Sequence, residues 1–193
     1  MNLKPTITKE EIAKMPRAAF EGDIVVVEDA QGLNDAIGQL SQCTEIGFDT
    51  ETRPNFTKRK HYKMSLMQLS ANDVCFLIRL NKLGGMPHVL ERFLKSRKVC
   101  KVGISLHDDF NGLHSLTDVA PQNCIDLQKY VPGFGIEDMS LQKIYAIVFG
   151  KKISKRMRLS NWEADVLTEA QQQYAALDAW ACLHIYQHLN TLK

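Results

Sequence analysis

Two carboxylates stand at i and i+2 in the run Ile46-Gly47-Phe48-Asp49-Thr50-Glu51, whose flanking residues read as a strand. A period of two puts Asp49 and Glu51 on one face. Side by side in low dielectric, two carboxylates pick up protons unless something offsets their repulsion and desolvation, and a divalent cation is the simplest remedy. Taken alone, the pair also fits a strand end whose acids face water. Farther along, Gln173-Tyr174-Ala175-Ala176-Leu177-Asp178-Ala179 stacks a phenol and a carboxylate one helical turn apart. The neighbours Ala175, Ala176, Leu177, Ala179 and Trp180 are small or apolar, so Asp178 interrupts a buried stretch and needs a partner there. One ordinary hydrogen bond would satisfy that need. Between these two runs, Val102-Gly103-Ile104-Ser105-Leu106-His107-Asp108-Asp109-Phe110 reads as a buried strand leaving its sheet into a helix start that carries two acids. Strand ends in open α/β sheets are where sites collect, although acids also complement a helix N-terminus. Each feature has a bland explanation by itself; the three together point to one acidic site.

The elements that must position these residues follow from hydrophobic periodicity. Strands are expected at Ile24 to Val27, Thr44 to Thr52, Ser65 to Ser70, Val74 to Leu80 and Val99 to Ile104. Ala71-Asn72-Asp73 supplies turn chemistry that makes the third and fourth an antiparallel hairpin. Helices are expected at Gly32 to Ser41, Pro87 to Ser96, Ser105 to Leu116 and Ser140 to Phe149. Two capping boxes, Thr8-Lys9-Glu10-Glu11 and Thr168-Glu169-Ala170-Gln171, open a short N-terminal helix limited by Pro16 and a long final helix reaching toward Leu192. Strands alternating with helices imply an α/β fold with a largely parallel or mixed sheet covered on both faces. No repeat or low-complexity linker divides the chain, so the expected organisation is an arm over residues 1–22 and one domain over 23–193.

Composition sets the remaining bounds. The 193 residues suffice for one domain without disulfides, and 45% hydrophobic with 24% charged residues is ordinary for a globular chain. No apolar stretch approaches the roughly 20 residues of a membrane span, and the N-terminus lacks the apolar core of a secretory signal, so the expected location is cytoplasmic. Cys43, Cys75, Cys100, Cys124 and Cys182 lie far apart without a CxxC pair, which fits reduced structural thiols. The net charge of +2 neither demands nor forbids a polyanionic partner.

Taken in order, FDTE at 48–51, an Asp after a buried strand, and YAALDAW at 174–180 resemble the tyrosine subgroup of the DEDD 3′-5′ exonucleases, to which ribonuclease D and the Werner-type exonuclease domain belong. The resemblance spans about Ile24 to Leu189 and includes Met64 to Ser70 and Leu159-Ser160-Asn161-Trp162-Glu163. It implies a ribonuclease-H-like fold with a mixed five-stranded central sheet flanked by helices. Asp49 and Glu51 match the first motif, Asp109 the second, and Tyr174 with Asp178 the third; the adjacent Asp108 is the alternative in the second motif. The implied cofactors are two Mg²⁺ or Mn²⁺ ions, since all-oxygen ligands favour hard cations and a close pair can clamp both oxygens of an in-line displacement. One ion is expected between Asp49, Glu51 and Asp178, and the second between Asp49 and Asp109. Tyr174 would position the attacking water. The implied activity is hydrolysis of DNA or RNA from a single-stranded or otherwise 3′-terminal end, releasing nucleoside 5′-monophosphates.

Two basic segments complete the expected binding surface. Lys151, Lys152, Lys155, Arg156 and Arg158 precede Asn161-Trp162, and Lys58, Arg59, Lys60 and Lys63 follow the first motif; either could meet phosphates through counterion release. Phe56, Tyr62 and Met64 are candidates to stack on or wedge beside the terminal base, and Leu66 is a further candidate for substrate binding, with core packing as the equal alternative for Met64 and Leu66. His184 and His188 have zinc-like spacing but no accompanying HExxH glutamate. A nucleic-acid-binding module that keeps the fold without turnover is the rival function; it has no need to concentrate acids where a polyanion docks. Oligomeric state has no marker in the sequence.

Overall fold

The computed structural model describes residues 3–56 and 62–193. Among these residues a single six-stranded sheet forms, from β1 (Asp23–Val27), β2 (Glu45–Thr52), β3 (Met64–Ser70), β4 (Val74–Ile78), β5 (Cys100–Gly103) and β6 (Cys124–Asp126). Their order is β1-β4-β3-β2-β5-β6. The β3–β4 hairpin is antiparallel, as its turn chemistry requires, and β3 is also antiparallel to β2. The remaining pairings, β1 with β4, β2 with β5 and β5 with β6, are parallel, so β3 alone runs against the others.

Helices cover both faces. One carries α2 (Ala30–Leu40), α3 (His88–Lys95) and α4 (Leu106–Leu113), whose Leu33, Leu40, Leu90, Phe93 and Leu113 pack on Ile46, Phe48 and Leu69 of the sheet. The other carries α5 (Leu127–Tyr130), α6 (Leu141–Phe149) and the long α7 (Glu169–Asn190), which bury Leu66, Cys75, Leu77 and Val102. Burial on both faces explains why β3 lacks a polar side: every one of its residues is buried. The N-terminal α1 (Lys9–Ala13) is capped by Thr8 and Glu11 as its motif requires, and Ile7 and Ile12 pack against Ala146 of α6.

The sheet has six strands where five were expected. The extra strand, Cys124–Asp126, is too short to show a period and exists because β5 offers it a parallel partner, Lys101 opposite Cys124 and Gly103 opposite Asp126. The expected helix and strand ends otherwise lie within a few residues of those found, as at Glu45–Thr52 and Glu169–Asn190.

Helix α7 lies directly on β2 at one point. A Cβ on Gly47 would fall 2.0 Å from the carbonyl oxygen of Ala179, so only glycine lets the two backbones meet. That contact brings Asp178, one residue before Ala179, to the face from which Asp49 projects, two residues beyond Gly47.

Candidate active site

Asp49 and Glu51 occupy the carboxyl half of β2 and share the α7 face of the sheet, with Gln68 and Leu66 as their partners across the antiparallel ladder. Asp178 reaches them from α7, and carboxylate oxygens of Asp49, Glu51 and Asp178 all lie within 4.8 Å of one another. No other group of three or more His, Cys, Asp or Glu side chains among the described residues meets this way. Tyr174 stands one turn before Asp178 in the same cleft, with Lys155, Arg158 and Gln142 along the remaining wall.

Asp109 stands apart from the trio. The Thr50 hydroxyl donates a hydrogen bond to its carboxylate, tying the first turn of α4 to β2. Asp126, at the end of β6, fixes that helix start: its carboxylate accepts from the backbone N–H of Ser105 and of Leu106, each at 3.1 Å, and of Gln128 at 3.0 Å. Ser105 needs this support because it sits at φ 58, in the left-handed region. Asp108 is exposed, whereas Asp109 is half-buried beside Thr50.

Electrostatically the site is short of positive charge. Burial, followed by the charges of Asp178, Asp109 and Glu51, pushes Asp49 far above the usual carboxylate range. Burial and the charges of Asp178 and Asp109 push Glu51 up to about 9, against a downward pull from Arg158. Asp178 is raised to about 7 by burial, while the Tyr174 hydroxyl beside it and the Lys155 ammonium draw it down. Asp109 is raised to about 6 by burial, held back by Thr50. Tyr174 is pushed well above the ordinary phenol value by burial and by Asp178 and Glu51, so it stays neutral. One oxygen of Asp178, Oδ1, is buried and has no hydrogen-bond partner among the described residues. Orphaned acceptors and repelling carboxylates both call for a cation, and an all-oxygen donor set suits a hard one.

The basic segment expected to act together is divided. Lys155 and Arg158 face the carboxylates. Arg156 enters a separate cavity on the other side of Tyr174. The Lys152 ammonium is bound to the carbonyl of Ala13 at 2.5 Å, which spends it on holding the N-terminal arm. Lys151 lies beside Phe149, Trp180 and His184. Lys58, Arg59 and Lys60 fall outside the described residues; Lys63, Tyr62 and Met64 line a cavity of about 400 Å³ with Ser65, Leu116 and Glu163. Leu66 is wholly buried opposite Glu51, in the core. His184 stacks on Phe149, with ring centroids 4.1 Å apart, so its face belongs to an aromatic cluster.

Sequence reasoning missed Thr50 and Asp126, described above, and also Arg79. This fully buried guanidinium donates to Glu28 Oε1 at 2.7 Å and to the carbonyls of Asp165, at 2.8 Å, and Ala164. It anchors the loop in which Trp162 is buried with its ring centroid 6.0 Å from that of Tyr174, and Glu163 pairs with Arg53 at 3.3 Å. The only signal was an arginine ending an apolar strand.

Known proteins share this arrangement of elements. The sequence profile of the 3′-5′ exonuclease family matches residues 24–192. The bifunctional 3′-5′ exonuclease/ATP-dependent helicase WRN of Mus musculus is 30% identical over 187 residues, which is 92% of this chain and 13% of that protein. The chain likewise spans only 27% and 30% of two further curated relatives. In fold it resembles the Nibbler EXO domain of Aedes aegypti, with a TM-score of 0.79, 22% identity, and 90% and 91% of the two chains covered. It also resembles Trypanosoma brucei RNase D crystallised with RNA U12, with a TM-score of 0.76, 21% identity, and 88% and 63% covered.

Proposed function

The chain belongs to the 3′-5′ exonuclease family, and from that membership we propose that it hydrolyses nucleic acid from the 3′ end in a divalent-metal-dependent reaction, releasing nucleoside 5′-monophosphates. The observation that carries this reading is the convergence of Asp49, Glu51 and Asp178, whose oxygens lie within 4.8 Å of one another beside Tyr174. A module that only bound a polyanion would gain nothing from such a cluster.

Asp49, Glu51 and Asp178 would hold one Mg²⁺ or Mn²⁺, and Asp49 with Asp109 a second. When bound, such ions lower the pKa of an attacking water and offset the charge developing on the departing 3′ oxygen. The protein's own groups do the positioning. Tyr174, neutral because burial and its acidic neighbours raise its pKa, holds the water by a hydrogen bond in line with the phosphorus. Lys155 and Arg158, whose charges already act on Asp178 and Glu51, meet the phosphate oxygens. The bond from water oxygen to phosphorus forms as the bond from phosphorus to the 3′ oxygen breaks. The water proton passes to solvent, and the 3′ oxygen takes one up.

The cavity beyond Glu51 would take the terminal nucleoside. Tyr62 and Met64 offer it apolar surface, and Leu66 backs Glu51 from the core. Its partner is nucleic acid, in keeping with the RNA carried by the Trypanosoma brucei RNase D structure.

The test is digestion of a 3′-labelled oligonucleotide with manganese, magnesium or chelator. Loss of label with either metal and none in chelator is expected, and Asp178→Asn should cut the rate roughly 10³-fold, about 4 kcal/mol of transition-state stabilisation. An oligonucleotide that binds the parent protein and stays intact with both metals would leave the binding-module reading in place.

A further inference from the structure

A second cavity, of about 550 Å³, lies on the other side of Tyr174 from the carboxylates, between Arg17, Ala18 and Ala19 of the N-terminal arm, residues 154–157, and the start of α7. That volume falls within the roughly 300–1,000 Å³ typical of small-ligand sites. The arm residues precede position 24, where the family match begins, so this wall is not part of the matched domain. It is nonetheless fastened. The backbone N–H of Ala18 donates to the Lys152 carbonyl and that of Lys152 to the Pro16 carbonyl, each at 2.9 Å, and the Lys152 ammonium holds Ala13.

The lining has two chemistries. Met157, Leu177 and the alanines make an apolar surface, while Arg17 and Arg156 bring two guanidinium groups. No acid lines the cavity, and neither arginine forms an ion pair among the described residues. Two uncompensated cations beside apolar surface suit a ligand with an anionic group and a flat, weakly polar body, which describes a nucleotide. Tyr174 is common to this cavity and to the acidic cleft, so an occupant here is within one side chain of the reacting phosphate.

We propose that this cleft is a second nucleotide subsite, occupied by the residue of a single strand that neighbours the one being cleaved. Arg17 and Arg156 grip its phosphate, and its base lies on Met157 and Leu177. The assignment rests on the exonuclease reading above, and it makes the N-terminal arm a part of substrate binding.

The test is fluorescence anisotropy of a labelled single-stranded hexanucleotide in the Asp178→Asn background with magnesium, where turnover is suppressed. Adding Arg17→Ala and Arg156→Ala together should weaken binding by about tenfold or more and flatten the dependence of log affinity on log salt by about 0.7 per lost contact. Both side chains are exposed, so the fold should survive their loss. Ala170→Trp, which fills the cleft without changing charge, should weaken binding with the salt slope kept. Parental affinity in both the double variant and Ala170→Trp would overturn the proposal. So would a loss of affinity for free nucleoside 5′-monophosphate with hexanucleotide binding intact, which would make the cleft a product site. Hydrolysis of the nitrophenyl ester of thymidine 5′-monophosphate by the parent protein checks catalysis separately. If the parent cleaves neither ester nor oligonucleotide while the variants still lose hexanucleotide affinity, the cleft stands and only the catalytic reading falls.

Discussion

At the residue scale, the site is a balance between carboxylates that repel one another and the groups that moderate them. Glu51 is raised to about 9 and Asp178 to about 7, against unfolded values of about 4.3 and 3.9. Between those limits the metal-free native state binds protons that the unfolded chain has released. Its stability therefore falls as pH rises from about 4 toward about 9. In chelator, Asp178→Asn should then gain stability over the parent as pH rises from about 5 to about 9, and urea titrations at several pH values would show it. A gap that stays constant or narrows would contradict the raised carboxylates. Tyr174 gives a second prediction. Tyr174→Phe keeps the ring against Trp162 but removes the hydroxyl proposed to position water, so on that proposal the rate constant for turnover should drop roughly 10²-fold. Metal-induced thermal stabilisation should change little, which separates the water-positioning role from that of a ligand.

At the scale of elements, two contacts decide whether the acids meet. Gly47 is where α7 rests on β2, and Gly47→Ala would set a methyl 2.0 Å from the Ala179 carbonyl oxygen. The helix must shift, at a cost of about 3 kcal/mol, and Asp178 moves with it. Loss of both stability and metal-induced stabilisation is expected, measured by denaturation with and without manganese. Arg79 governs the other contact. Arg79→Met keeps the volume but strands the carbonyls of Ala164 and Asp165, which should cost about 3 kcal/mol. It also loosens the loop that sets Trp162 against Tyr174, so turnover should fall even at temperatures where the variant remains folded. An unaltered denaturation midpoint would show that the loop holds itself. Asp126 works in the same way at the start of α4, where one carboxylate gathers three backbone N–H groups and so aims Asp109.

At the scale of the whole molecule, α7 packs across the face of the sheet with its backbone against β2, which is how Asp49 and Asp178, 129 positions apart in the sequence, share a cleft. Because the ions would bind the folded site and not the unfolded chain, manganese at about 100 times its dissociation constant should raise stability by about 2.7 kcal/mol. The gain should grow with pH, since the cation displaces protons from the raised carboxylates. Melting curves in chelator and in manganese at two pH values would test both statements. No helix among the described residues is long and apolar enough to cross a membrane. By itself the chain's order of residues determined the positions of the longer strands and helices, the shared face of Asp49 and Glu51 and the one-turn spacing of Tyr174 and Asp178, because these follow from local periods of 2 and 3.6 residues. It held no comparable signal for β6, for the tie from Thr50 to Asp109, for the Arg79 anchor or for the division of the basic segment around Tyr174. Those depend on which distant elements come to lie side by side, and only packing in three dimensions selects among the partners that each charged group could have taken.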